Sequence, residues 1–133
     1  MRLLGFDFER LRGLGNVIGV KEAIWDVTTI ATCCFGLDYP WMCRQAAALS
    51  TLKLPVYLAI TGKSQSPPPI SNAIFLERIR SKVTRLSTDP TKIECGRNSG
   101  FGALNLAFHF GAKLIYLFGF DYQPNSYYCP ERY

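Results

Sequence analysis

The sequence predicts an α/β fold, a three-layer Rossmann-like sandwich around a mostly parallel sheet. Two observations predict it. Short apolar runs rich in β-formers alternate with helical stretches along the chain, as strands joined by crossover helices do. The stretch Asn98–Asp121, NSGFGALNLAFHFGAKLIYLFGFD, also reads as one complete unit of loop, helix, strand and carboxylate.

Leu3 to Leu14 is a short opening element in which Phe6, Phe8 and Leu11 can share an apolar side. Val17–Val20 follows the turn residues Gly15 and Asn16 and reads as a first strand. Thr28–Phe35, TTIATCCF, is β-branched and apolar, hence a second buried strand. Asp38 precedes Pro40, and proline is favoured in a helix's first turn, so a helix is expected over Pro40–Leu52. Trp41, in its first turn, is either core or a stacking face. Pro55–Ile60 is a third strand, with its proline in the tolerated first position.

Thr61–Asn72, TGKSQSPPPISN, carries three consecutive prolines and is expected to be an extended surface loop. Ile74–Ile79 is expected to be a short helix, and Lys82–Leu86 and Lys92–Cys95 short extended pieces. In the last third, Ala103, Leu106, Ala107 and Phe110 recur at helical spacing, and Gly111 stands where a helix end wants a left-handed residue. Leu114–Phe120 is a continuous apolar run, expected as a strand buried on both faces at the sheet centre. The tail after Asp121 reads as a loop. Its tyrosines could stack on a base, cover the sheet or form an interface.

The chain has 133 residues, the length of one domain, so 1–133 is expected to be a single nucleotide-binding-type domain. With 48% apolar and 14% aromatic residues it is not disordered, and no run reaches the length of a membrane span. The first residues carry charges throughout and do not read as a signal peptide, so a cytoplasmic location is expected. Cys33, Cys34, Cys43, Cys95 and Cys129 show no C-x-x-C pair and read as reduced thiols, mostly in or near the core; neither a metal nor a cofactor is expected. The net charge of +5 suits an anionic ligand, but the basic residues are scattered and the one cluster, Arg78, Arg80, Lys82 and Arg85, reads as a solvated face or a phosphate contact; nucleic acid is not the expected partner.

The N-S-G turn, the small-residue helix and the run G-x-x-x-I-x-L-x-G-x-D resemble the C-terminal motif of the Campylobacter-type sialyltransferases and of the wider group with pterin diphosphokinase-like domains. A set of short phage proteins labelled norphogenetic is similar to the same stretch. The resemblance implies a nucleotide or nucleotide-sugar pocket faced by the Ser-Gly turn. In those families a first strand and a G-x-G-P-S phosphate loop precede a stretch like LLGFDFERL, and this sequence begins after that point. Where the families often place an asparagine at a strand end, this chain has Lys21, which could meet a phosphate or stay solvated. Asp38 matches their polar residue after a strand, and it could also cap the helix that follows.

The candidate ligand site is therefore Lys21, Gly36, Asp38, Asn98, Ser99, Gly100 and Asp121, all expected at strand ends or at a helix N-terminus, where free N–H groups attract anions. Gly100 and Gly102 would allow close approach of a ligand, and Ser99 could cap its helix as well as donate to a ligand. The single histidine, His109, lies inside the helix and is not expected to be catalytic, and no triad is readable. Binding of a nucleotide-like anion without catalysis, such as sequestration of a nucleotide signal, is the expected function. The alternatives are a transferase acting on a nucleotide-sugar and a structural or assembly subunit. Self-association is expected, because an uncovered sheet edge is normally paired.

Overall fold

The computed structural model describes residues 6–61, 66–79, 85–96 and 98–119. Five strands lie side by side in chain order, every neighbouring pair parallel: β1 (Ile18–Val20), β2 (Cys33–Gly36), β3 (Val56–Ile60), β4 (Ala73–Ile79) and β5 (Lys92–Glu94). Ile18 stands opposite Cys33, Cys34 opposite Val56, Tyr57 opposite Ile74 and Arg78 opposite Ile93. The α/β class and the parallel sheet are as the alternating pattern predicts.

Alternation along the strands divides the core into two layers. Cys34, Val56 and Leu58 point to the face covered by α1 (Ile24–Val27) and α2 (Tyr39–Ser50), where Trp41, Met42 and Leu49 are fully buried. Cys33, Phe35 and Ala59 point to the other face, covered by Ala103 and Leu106 of α3 (Ser99–His109). Trp41 is thus core, one of its two readings. α3 packs on β1, β2 and β5. In a flat sheet β1 and β5 would lie about 19 Å apart, wider than the roughly 10–12 Å of a helix with its side chains, so the sheet curls around α3.

Each helix end has a visible cause. Asp38 Oδ1 accepts from the Trp41 amide and caps α2, with Pro40 in the first turn. Gly111, at φ +75°, ends α3. The Gly111 amide donates to Phe108 O at 2.9 Å and the Ala112 amide to Ala107 O at 3.1 Å, the paired bonds of a glycine-terminated helix.

Several elements differ from expectation. The second strand covers Cys33–Gly36, not Thr28–Phe35. Thr28 Oγ1 donates to the carbonyls of Ile24 and Trp25 and so closes the end of α1, a local bond that β propensity does not register. Ile74–Ile79 is not a helix but lies within β4, where Ala73–Glu77 form a ladder with Val56–Ile60. The proline segment is extended as expected but not wholly on the surface: Ile70 and Pro68 are buried, and Ser66 O accepts from the Tyr39 hydroxyl.

The largest correction concerns Leu114–Phe120. Residues 114–119 form no strand and their large side chains are exposed, Leu114 by 70% and Tyr116 by 75%. The Phe118 ring lies against Phe6 and Phe8 instead, at centroid distances of 5.2 and 6.4 Å. An apolar run signals a demand for burial but does not say which surface meets it. In this sheet the central positions are held by β2, β3 and β4. Phe120 and Asp121 lie outside the described residues, as do Cys129 and the tyrosines of the tail.

Candidate functional site

Parallel strands share one carboxyl edge, and the predicted site residues that are described lie along it. Lys21 follows β1, Gly36 ends β2 with Asp38 two residues on, and Asn98–Gly100 follow β5 at the start of α3. Asp121 is outside the described residues.

Lys21 and Asp38 meet directly. Lys21 Nζ donates to Asp38 Oδ2 at 3.3 Å, while Asp38 Oδ1 holds the Trp41 amide at 3.1 Å. One carboxylate therefore caps α2 and fixes an ammonium. Burial alone would push the Asp38 carboxyl up. The Trp41 amide and Lys21, with Arg44 nearby, outweigh burial and hold it below the usual aspartate value. Lys21 is also the only non-glycine residue with positive φ among those described, at 52°. A left-handed backbone costs an ordinary residue about 1–2 kcal/mol. That conformation turns the chain from β1 directly into the 3-10 turn Lys21–Ala23.

Gly36 backs onto the core. A Cβ there would lie 2.6 Å from the Trp41 ring, so this glycine makes room for the core tryptophan. Gly102 has a similar role, which corrects the expectation that it admits a ligand. A Cβ on it would stand 2.7 Å from the Phe35 ring and 2.9 Å from Cys95 Cβ. The bare helix surface lets α3 settle onto β2. Because α3 starts at the end of β5 and rests on Phe35 at Gly102, its first turn lies over the carboxyl end of β2.

The cap of α3 is Asn98, not Ser99. Asn98 Oδ1 accepts from the Gly100 amide at 2.7 Å and from the Phe101 amide at 3.2 Å. Two of the N–H groups expected to face an anion are thus already engaged, and Gly100 is buried. Ser99 is the first helical residue and is partly exposed.

Arg78, which the sequence placed in the basic cluster but not in the candidate site, belongs to the same edge. From β4 its Nη2 donates to Gly96 O at 2.7 Å, in the turn before α3, and its Nε is buried with no hydrogen-bond partner among the described residues. Its place one residue before the end of β4 was hidden while Ile74–Ile79 read as a helix.

A polar clamp anchors the chain ahead of β5. Asn105, fully buried in α3, accepts at Oδ1 from the amides of Ser87 and Glu94, each at 2.9 Å, and donates from Nδ2 to Ser87 O at 3.0 Å. His109 Nε2 lies 2.8 Å from the same carbonyl. That places His109 in a structural contact.

An open depression of ≈ 500 Å³ lies at the opposite, amino edge, lined by Trp25, Thr28, Ala31 and Thr51–Leu54. It contains none of the predicted site residues and no carboxylate. Open parallel sheets as a class bind ligands at the other edge, where Lys21 and Asp38 lie. Among the described residues no group of three histidine, cysteine or acidic side chains could hold a metal ion. No helix there is long and apolar enough to cross a membrane.

Comparison of the chain with protein-family models, with curated proteins and with solved structures gave no match.

Proposed function

We propose that the carboxyl edge of the sheet binds an anionic, nucleotide-like ligand and does not turn it over. The observation that carries this reading is Lys21: a strained lysine at the end of a parallel strand, its ammonium held at 3.3 Å by the carboxylate that caps α2. Backbone strain kept at a strand end is typical of binding sites. The N-termini of α2 and α3 open at the same edge and add positive potential. Asp38, with one oxygen on Lys21 and one on an amide, has lone pairs left for a ribose hydroxyl. A phage-type protein that sequesters a nucleotide signal is the biological form of this reading.

The first test is a thermal-shift screen with nucleoside mono-, di- and triphosphates and nucleotide-sugars. A ligand at 100 times its Kd stabilises the native state by about 2.7 kcal/mol, a readily measured rise in Tm. Calorimetric titration of the best compound should then show Lys21→Met weakening binding about tenfold, as loss of a hydrogen bond to a charged group does. Ser99→Ala should have a smaller effect. If none of these compounds raises Tm, the reading is wrong; release of labelled sugar from a nucleotide-sugar would replace binding with transfer.

A further inference from the structure

We propose that two copies of this chain pair by exchanging Leu114–Phe118, each segment adding as a sixth strand to the β1 edge of the other copy. Four observations meet here. β1 ends the sheet, with β2 its one neighbour among the described residues. β1 is short, three residues, but Ile18, Gly19 and Val20 include no proline, no charge and no bulge to turn a partner strand away. Leu114–Phe118 is five consecutive large apolar residues, all at least 39% exposed, and three of them are the β-formers Ile115, Tyr116 and Phe118. Monomers rarely expose apolar side chains in so continuous a run.

The connection also fits. α3 touches β1, Gly111, left-handed at φ +75°, turns the chain out of the helix three residues before Leu114, and Phe118 reaches the Phe6 and Phe8 rings that precede β1. Residues 111–113 can therefore serve as the hinge of an exchange. Among the described residues of its own chain the segment makes no strand pairing, and it rests its last ring on Phe6 and Phe8. Among the described residues, each copy thus offers both an unpaired edge and an unplaced strand. A two-fold pair satisfies both needs reciprocally and leaves neither surface open, which is the economy of domain swapping. In the paired strand, alternate residues would extend the two faces of the sheet: Leu114, Tyr116 and Phe118 on one, Ile115 and Leu117 on the other.

The test is sedimentation velocity over a wide concentration range, with hydrogen exchange followed at the amides of 114–118 and 18–20. The expected result is a concentration-dependent dimer in which both sets of amides become protected together. Leu114→Lys with Tyr116→Lys changes the two most exposed side chains of the segment, so the monomer should keep its Tm while the dimer disappears over the same range. Leu114→Val with Tyr116→Val should retain it. A monomer at every concentration overturns the proposal, as does a dimer that survives the double lysine change. Protection of 114–118 independent of concentration overturns it too, because the segment would then lie on its own β1. Open-ended higher oligomers would also count against a closed pair.

Discussion

Asp38 joins Lys21 to the first turn of α2: Lys21 Nζ stands 3.3 Å from Asp38 Oδ2, and the other oxygen of the same carboxylate caps the helix. The end of β1 is thereby fixed to the start of α2 across the end of β2. Because the folded Asp38 carboxyl lies below its usual value, the contribution of this pair is present above the unfolded value of about pH 4 and is lost as pH falls through the folded one. Asp38→Asn keeps a capping side chain and removes the charge. We expect it to cost up to about 1 kcal/mol at neutral pH, the scale of a partly exposed pair, and to converge with the parent in acid. Urea denaturation as a function of pH measures this; a difference that grows in acid would sink it.

Lys21 pits backbone strain against the ion pair. Lys21→Gly relieves a left-handed φ worth about 1–2 kcal/mol and loses a pair worth up to about 1 kcal/mol. Lys21→Ala loses the pair and keeps the strain. The glycine variant should therefore be the more stable of the two by about 1 kcal/mol, although glycine's looser unfolded state takes part of that back. Equal denaturation midpoints for the two variants would show that the backbone here carries no strain.

Gly102→Ala tests the seating of α3. Helix propensity alone would favour alanine by about 1 kcal/mol. The added methyl would meet the Phe35 ring at 2.7 Å and Cys95 Cβ at 2.9 Å, and overpacking of this kind costs about 1–3 kcal/mol. The expected net effect is a loss of stability, partly recovered by Phe35→Leu in a double-mutant cycle. Stabilisation by Gly102→Ala would falsify the close approach of α3 to β2.

Asn105→Ala removes the shared acceptor of the Ser87 and Glu94 amides and a donor to Ser87 O, the Glu94 bond buried and the two Ser87 bonds partly so. Leaving buried donors unsatisfied costs about 1–3 kcal/mol each, less whatever water recovers, so a loss of about 2–3 kcal/mol is expected. Amide exchange should accelerate at Ser87 more than at Leu58 in β3. A variant as stable as the parent would show that the clamp adds nothing.

The thiols should differ sharply in reactivity. Burial pushes Cys33 and Cys34 up to about 12, so neither forms thiolate at neutral pH, whereas Cys43 is exposed. Iodoacetamide at about pH 8, near the ordinary thiol value, should modify Cys43 in the native protein and reach Cys33 and Cys34 only on unfolding. Peptide mass spectrometry reads the order directly, and early labelling of Cys34 would contradict its burial.

The sequence by itself determined the α/β class, the strands Val17–Val20 and Pro55–Ile60 each to within a residue, the proline-led helix and its Asp38 cap, and the glycine that ends α3. Each rests on chemistry local to the residues: a missing proline N–H, a short carboxylate ahead of a helix, a glycine free to turn left-handed. Only the tertiary structure decided the rest. Thr28 and Ile74 misled because one closed a helix with its hydroxyl and the other found a ladder on β3, and neither partner is visible in a local window. Gly102 looked like an opening for a ligand, yet the ring of Phe35, distant in sequence, occupies the space beside it. Arg78 and Lys21 took their places at one edge only when the strands aligned in parallel. Leu114–Phe118 shows the division most plainly. Its composition fixes the need for burial, while the surface that meets the need depends on which sheet edge remains unpaired, a property of the whole sheet and not of the segment.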